Sequence, residues 1–276
     1  MISATIVKQS INDKTGHVLT TIRAVYPRII LAEVNTHRKF SKNTASSRAI
    51  PTWKLRRDVL ENTFIPHHIG ANRPGMQATE ELEGWRRYLA KKVIGFSMFA
   101  MVGTHILLEK LGCHKQVANR YIEPWMYVTQ LISSTEWDNF FNQRFHKDAE
   151  PHIYLLAEKI RECMHSHKPA PLFPGQWHTP FPDSAEIVTS SPGFLPYNHE
   201  NILSLKASSA NCARLSYELP GTTIKANFAD NLNLFNKLAG ANPKHLSPLE
   251  HVAQASLTEK GSGNFDGFIQ LRKFYE

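Results

Sequence analysis

Three stretches of this sequence gather side chains able to do chemistry. The first is Thr36-His37-Arg38-Lys39-Phe40-Ser41-Lys42-Asn43-Thr44-Ala45-Ser46-Ser47-Arg48, where cations, hydroxyls and an amide follow an apolar segment. Such donors are what phosphate and nucleotide oxygens require. The same composition also suits a capped, solvated loop. The second stretch is Asn119-Arg120 ahead of Glu123-Pro124, followed by Trp137 to Arg144. On a helix, Asn139, Gln143 and more loosely Arg144 fall within one to two turns of each other. Trp137, Phe140 and Phe141 would then belong to the core of an ordinary amphipathic helix. The third is His245-Leu246-Ser247-Pro248-Leu249-Glu250-His251. Its Ser-to-Glu spacing is close to a helix-capping pattern. The two histidines and the carboxylate invite a metal, but the spacing matches neither HExxH nor a zinc-site pattern. No metal site is expected.

Other motifs are missing. Gly261-Ser262-Gly263 lacks the third glycine and the strand-to-helix setting of a dinucleotide fingerprint, and no G-x-S-x-G elbow occurs. Cys113, Cys163 and Cys212 are odd in number and widely spaced, which excludes a disulfide framework and fits a reducing cytoplasm. The amino terminus shows no signal-peptide pattern. The formal charge of +8 is scattered through mixed segments. That distribution favours a site for phosphorylated small molecules over nucleic acid as the main partner.

The elements that must position these residues follow from periodicity. Ser3 to Val25 reads as two strands joined by a turn at Asn12 to Gly16. Arg28 to Asn35 follows Pro27 and can start a helix. Apolar positions from Leu82 through Trp85, Leu89, Val93, Ile94, Phe96 and Phe99 indicate one long helix, or two in sequence, within 79–111, stopped at Gly112. Its run Val93 to Leu108 is broken by Gly95, Ser97, Gly103, Thr104 and His105, so it is expected to be a buried helix, with no membrane span. Further helices are expected over 135–145, 151–165, 201–217 and 228–240. Residues 166–206 read as an irregular but ordered connecting segment. The fold class is α+β, in a single domain spanning 1–276.

Together the three clusters resemble the flavin-dependent thymidylate synthases. Their signature, R-H-R-x-x-S-x-N-E-x-S-x-R, is matched at His37, Arg38, Ser41, Asn43, Ser46 and Arg48. QVANRYIEP, NFFNQR and AEPHI resemble the second family block. Ala213-Arg214-Leu215-Ser216 with His245 to His251 resembles the third. The resemblance covers about 20–51, 115–165 and 207–255. The third block comes first in the family and last here, which implies a circular permutation.

The resemblance implies an antiparallel sheet with long helices, and methylation of dUMP at C5 to give dTMP. The carbon would come from methylenetetrahydrofolate and the hydride from FAD reduced by NADPH, without a cysteine nucleophile. It implies a catalytic role for Arg144 and substrate contacts from Ser46, Ser47, Arg48, Arg120 and Arg144. The flavin would lie against His37, Arg38, Ser41, Asn43, Asn139, Ser216, His245, Ser247 and Glu250. Sites shared between the subunits of a homotetramer are also implied. Hydroxymethylation of a pyrimidine deoxynucleotide, or a non-catalytic nucleotide- or nucleic-acid-binding relative, are the alternatives. Thr36 and Thr44 replace the signature's first arginine and its glutamate, and Glu150 replaces a glutamine. Arg272 and Lys273 are candidates for the missing cation.

Overall fold

The computed structural model describes residues 1–276 except 76, 78–79, 182–198 and 224–225. The chain begins with strands β1 (Ser3–Asn12) and β2 (Val18–Pro27), paired antiparallel with an irregularity between Ile6 and Lys8. Gly16 adopts φ +73° in the tight turn between them, a conformation open to glycine at little cost. A 3-10 turn at Arg28–Ile30 leads into the short helix α1 (Leu31–Asn35), then β3 (Ser41–Thr44) and α2 (Thr52–Glu61). The long helix α3 (Gly84–Lys110) ends at Leu111 before Gly112, at φ +80°. Next come α4 (Lys115–Ala118), β4 (Tyr127–Ser134), α5 (Asp138–Arg144) and α6 (Pro151–His165).

The main sheet has the order β3-β4-β2-β1, extended by β5 (Ala170–Leu172), and only the β1–β5 pairing is parallel. The α+β expectation and its antiparallel sheet therefore hold. α6 lies across β1 and β2, where Ile153, Leu156, Ala157 and Ile160 meet Ile22, Ala24 and Tyr26. Each aliphatic side chain so buried contributes about 1.5–3 kcal/mol. Glu150 begins this helix by accepting from the backbone N–H groups of His152 and Ile153 at 2.8 and 2.9 Å, an N-cap that glutamine would fill less well. The other sheet face meets the end of α7 (His199–Arg214): Leu131 packs on Cys212 and Leu215. α8 (Phe228–Ala239) packs on α7. A second sheet joins β6 (Trp177–His178), β7 (Ala253–Ala255) and β8 (Phe268–Gln270), all antiparallel.

Two expectations are corrected. The segment 166–206 is not irregular throughout, because β5, β6 and the start of α7 lie in it; residues 182–198 fall outside the described residues. And α3 is not a buried helix. Met98, Val102 and His105 face the interior, while Trp85, Leu89, Val93, Phe96 and Phe99 face outward. A helix apolar on nearly every side gives a periodicity reading no inward face. The helix is long and apolar enough to cross a membrane by composition alone, yet one side of it is packed on the rest of the chain.

Candidate active site

Arg144 closes α5, where a cation suits the helix C-terminus. Its Nε donates to Nε2 of His37 at 3.0 Å, and its Nη2 donates to Oγ1 of Thr36 at 3.2 Å. His37 is 5% exposed, with Phe140 edge-on at 5.0 Å. Burial, then Arg144, then Lys42 bring its pKa down to about 4. The imidazole is therefore neutral, and accepting at Nε2 places its proton on Nδ1. Thr36 donates its own proton to the carbonyl of Glu33 at 2.6 Å, which turns a lone pair to Arg144. An arginine at this position would set two guanidinium groups against each other; the threonine positions one. Beside this trio lies an open cavity of about 340 Å³, lined by Arg38, Lys39, Asn139 and Gln143 among others.

β3 carries the next residues of the first cluster along the sheet edge. Asn43 donates to the carbonyl of Cys212 at 2.5 Å and accepts from the Ser216 hydroxyl at 3.2 Å. The backbone N–H of Ser46 donates to the carbonyl of Ser216 at 2.9 Å. Gln270 donates to Oγ of Ser41 at 2.8 Å and to the carbonyl of Glu250 at 2.9 Å. Gly263 makes room for that amide: a Cβ there would sit 1.8 Å from Oε1 of Gln270. So the third cluster folds back on the first. Ser41 and Asn43 are buried fasteners between the two.

The second cluster is tied to the first at another point. Asn119 donates to the carbonyls of Ser47 and Ile50 at 2.6 and 3.0 Å and accepts from Nε2 of His105 at 3.0 Å. The buried Ser47 hydroxyl donates to Glu123, which also receives Arg28 at 3.4 Å. Arg48 and Arg120 flank this fastening, both exposed, and neither makes an ion pair among the described residues.

Other expected residues lie at the surface. Asn139 is exposed and accepts from Gln143 at 3.2 Å. His245 and Ser247 are exposed, and the 3-10 turn Ser247–Glu250 has no side-chain cap. Glu250 takes Arg272, which also binds Glu276, so Arg272 is committed to carboxylates rather than standing in for the signature's cation. Lys273 pairs with Glu276 as well. Sequence reasoning missed Gln270, Lys42 and His105. Lys42 donates to the carbonyl of His37 at 2.8 Å, and nothing in local spacing marks it for that.

No protein-family profile matches the chain, and no curated protein matches it. Solved structures do. A UMP/dUMP methylase, PolB from Streptomyces cacaoi, superposes in its complex with 5-Br UMP at TM-score 0.50 and 14% identity, covering 60% of this chain and 89% of that one. The same methylase bound with 5-Br dUMP gives TM-score 0.49 at 11% identity, over 60% and 91%. The likeness is one of fold. The fold itself combines helices with an open, largely antiparallel sheet. PolB's resemblance spans most of PolB but leaves two fifths of this chain outside it.

Proposed function

We propose that the chain methylates deoxyuridylate at C5, with FAD and methylenetetrahydrofolate, and with NADPH as reductant. The observation that carries this reading is Arg144 held by His37 and Thr36, the two residues of the trio that line the cavity, with the third cluster drawn to the first. A guanidinium held through Nε and one Nη2 proton keeps its Nη1 donors for a ligand. Such preorganised charge stabilises the negative charge that develops on a uracil ring under attack.

Arg48 and Arg120, exposed and without carboxylate partners among the described residues, suit a nucleotide phosphate, with the Ser46 hydroxyl as a further donor. The residues present fit a flavin in kind: Arg38, Asn139, His245 and Ser247 are exposed polar side chains. Ser41, Asn43, Ser216 and Glu250 would shape that site by holding the clusters together. Reduced flavin supplies hydride and the folate the carbon. The cavity of about 340 Å³ lies at the small end of ligand sites of about 300–1,000 Å³. A neighbouring subunit would supply the remaining wall, in keeping with a homotetramer.

Purified protein should carry, or take up stoichiometrically, a chromophore with a flavin absorption spectrum. With dUMP, methylenetetrahydrofolate and NADPH, the product should have the mass of dTMP. A hydroxymethylated product would replace methylation with the alternative transfer, and protein that takes up no flavin would overturn both.

A further inference from the structure

We infer that the outward face of α3 is a self-association surface, on which a second copy of this chain packs its own α3 antiparallel. Trp85, Tyr88, Phe96 and Phe99 are 62–75% exposed along one stripe. Those four rings alone present on the order of 500 Å². Leu89, Val93, Leu107 and Leu111, each half exposed or more, extend the same stripe. The largest apolar patch on a typical monomer is about 300–600 Å², whereas a stable interface takes about 800 Å² from each partner. The stripe has the size of a dimer interface.

Its residue order selects the partner. Bulky side chains fill the first half of the stripe, and small ones, Ala100 and Gly103, interrupt the second. Laid antiparallel about Met98, Phe96 meets Ala100, Val93 meets Gly103, Leu89 meets Leu107 and Trp85 meets Leu111. Large therefore faces small at the centre, and the surface complements itself, as a two-fold interface must. A parallel arrangement would set Phe96 on Phe96 and Lys92 on Lys92. Antiparallel packing separates those lysines and opposes the two helix dipoles.

Gly103 adds an independent sign. A Cβ there would meet nothing within 4 Å, so the chain's own fold does not need glycine. A mid-helix glycine is destabilising relative to alanine. Close approach by another helix gives it a use. The opposite face is bolted to the chain by Met98, Val102 and the His105–Asn119 hydrogen bond, so α3 cannot be surrounded by lipid.

Light scattering after size exclusion at micromolar concentration tests this without reference to catalysis. Wild-type chain should elute at a multiple of the monomer mass. Phe96→Glu/Phe99→Glu, both at exposed positions, should halve that mass with an unchanged circular dichroism spectrum. In Phe96→Cys/Ala100→Cys, oxidation should link residue 96 of one chain to residue 100 of the other. A monomeric wild type, an unshifted mass in the glutamate variant, or cross-links only between like positions would overturn the inference. So would wild-type protein that is monomeric in solution and sediments with phosphatidylcholine–phosphatidylglycerol vesicles.

Discussion

Arg144 is held by a neutral histidine: its Nε–H points at Nε2 of His37 across 3.0 Å. A carboxylate in that place would bind the guanidinium more tightly and cancel part of its charge. His37 fixes the group's plane while leaving the charge for a ligand. Thr36 does the same at Nη2.

Replacing His37 should therefore act through Arg144. His37→Ala is expected to lower kcat by about 10-fold or more, with a smaller change in the KM for nucleotide. His37→Gln, which can present an acceptor, should recover part of that loss. Steady-state kinetics of both variants check this; equal losses in the two would deny His37 its positioning role. Thr36→Val should cost only a few-fold, as loss of one hydrogen bond of about 1 kcal/mol.

The buried histidines set a pH dependence of stability. Burial lowers His37 to about 4 and His251 to about 3, and pushes His178 well down. Unfolded, each takes up a proton near its ordinary value of 6.5, so the unfolded state binds more protons below that pH. Their contribution is intact above about 6.5 and is lost as pH falls from 6.5 towards 4 and then 3. Thermal melts across this range should show Tm falling with acid, less steeply in His37→Gln. A Tm that rises on acidification through this window would contradict the account.

No cysteine should be needed. Burial pushes Cys163 up to about 11 and Cys212 higher still, so neither thiol is activated. A variant with Cys113→Ser, Cys163→Ser and Cys212→Ala should keep most of its turnover. Loss of catalysis in a folded single variant at any of the three would restore a thiol mechanism.

Gln270 should prove to be the latch between the ends of the chain. Gln270→Ala leaves Ser41 with a poorer set of partners and is expected to cost about 1–3 kcal/mol in urea unfolding. Gly263→Ala, which drives a Cβ into that amide, should do comparable damage. Unchanged midpoints in both would mean that the two clusters are held together by other contacts.

What the sequence made legible was local. The hairpin was marked by Asn12 to Gly16, and α6 by Ile153, Leu156 and Ile160 on one side. The clusters around His37, Arg144 and Glu250 were recognisable from side-chain type and spacing. The inward face of α3 was not, because its outward stripe is as apolar as its core side, and His105 turns inward to meet Asn119 and Arg56. Gln270 and Lys42 escaped notice because their partners are distant in sequence or are backbone carbonyls, neither of which leaves a local pattern.

The most direct test is tritium release from C5-tritiated dUMP, with methylenetetrahydrofolate, NADPH and FAD, in wild-type and Arg144→Ala protein. The account predicts steady release by wild type, a loss on the order of 100-fold or more in the alanine variant, and little rescue by Arg144→Lys, whose ammonium lacks the planar fork. Release at near wild-type rates from folded Arg144→Ala would contradict it.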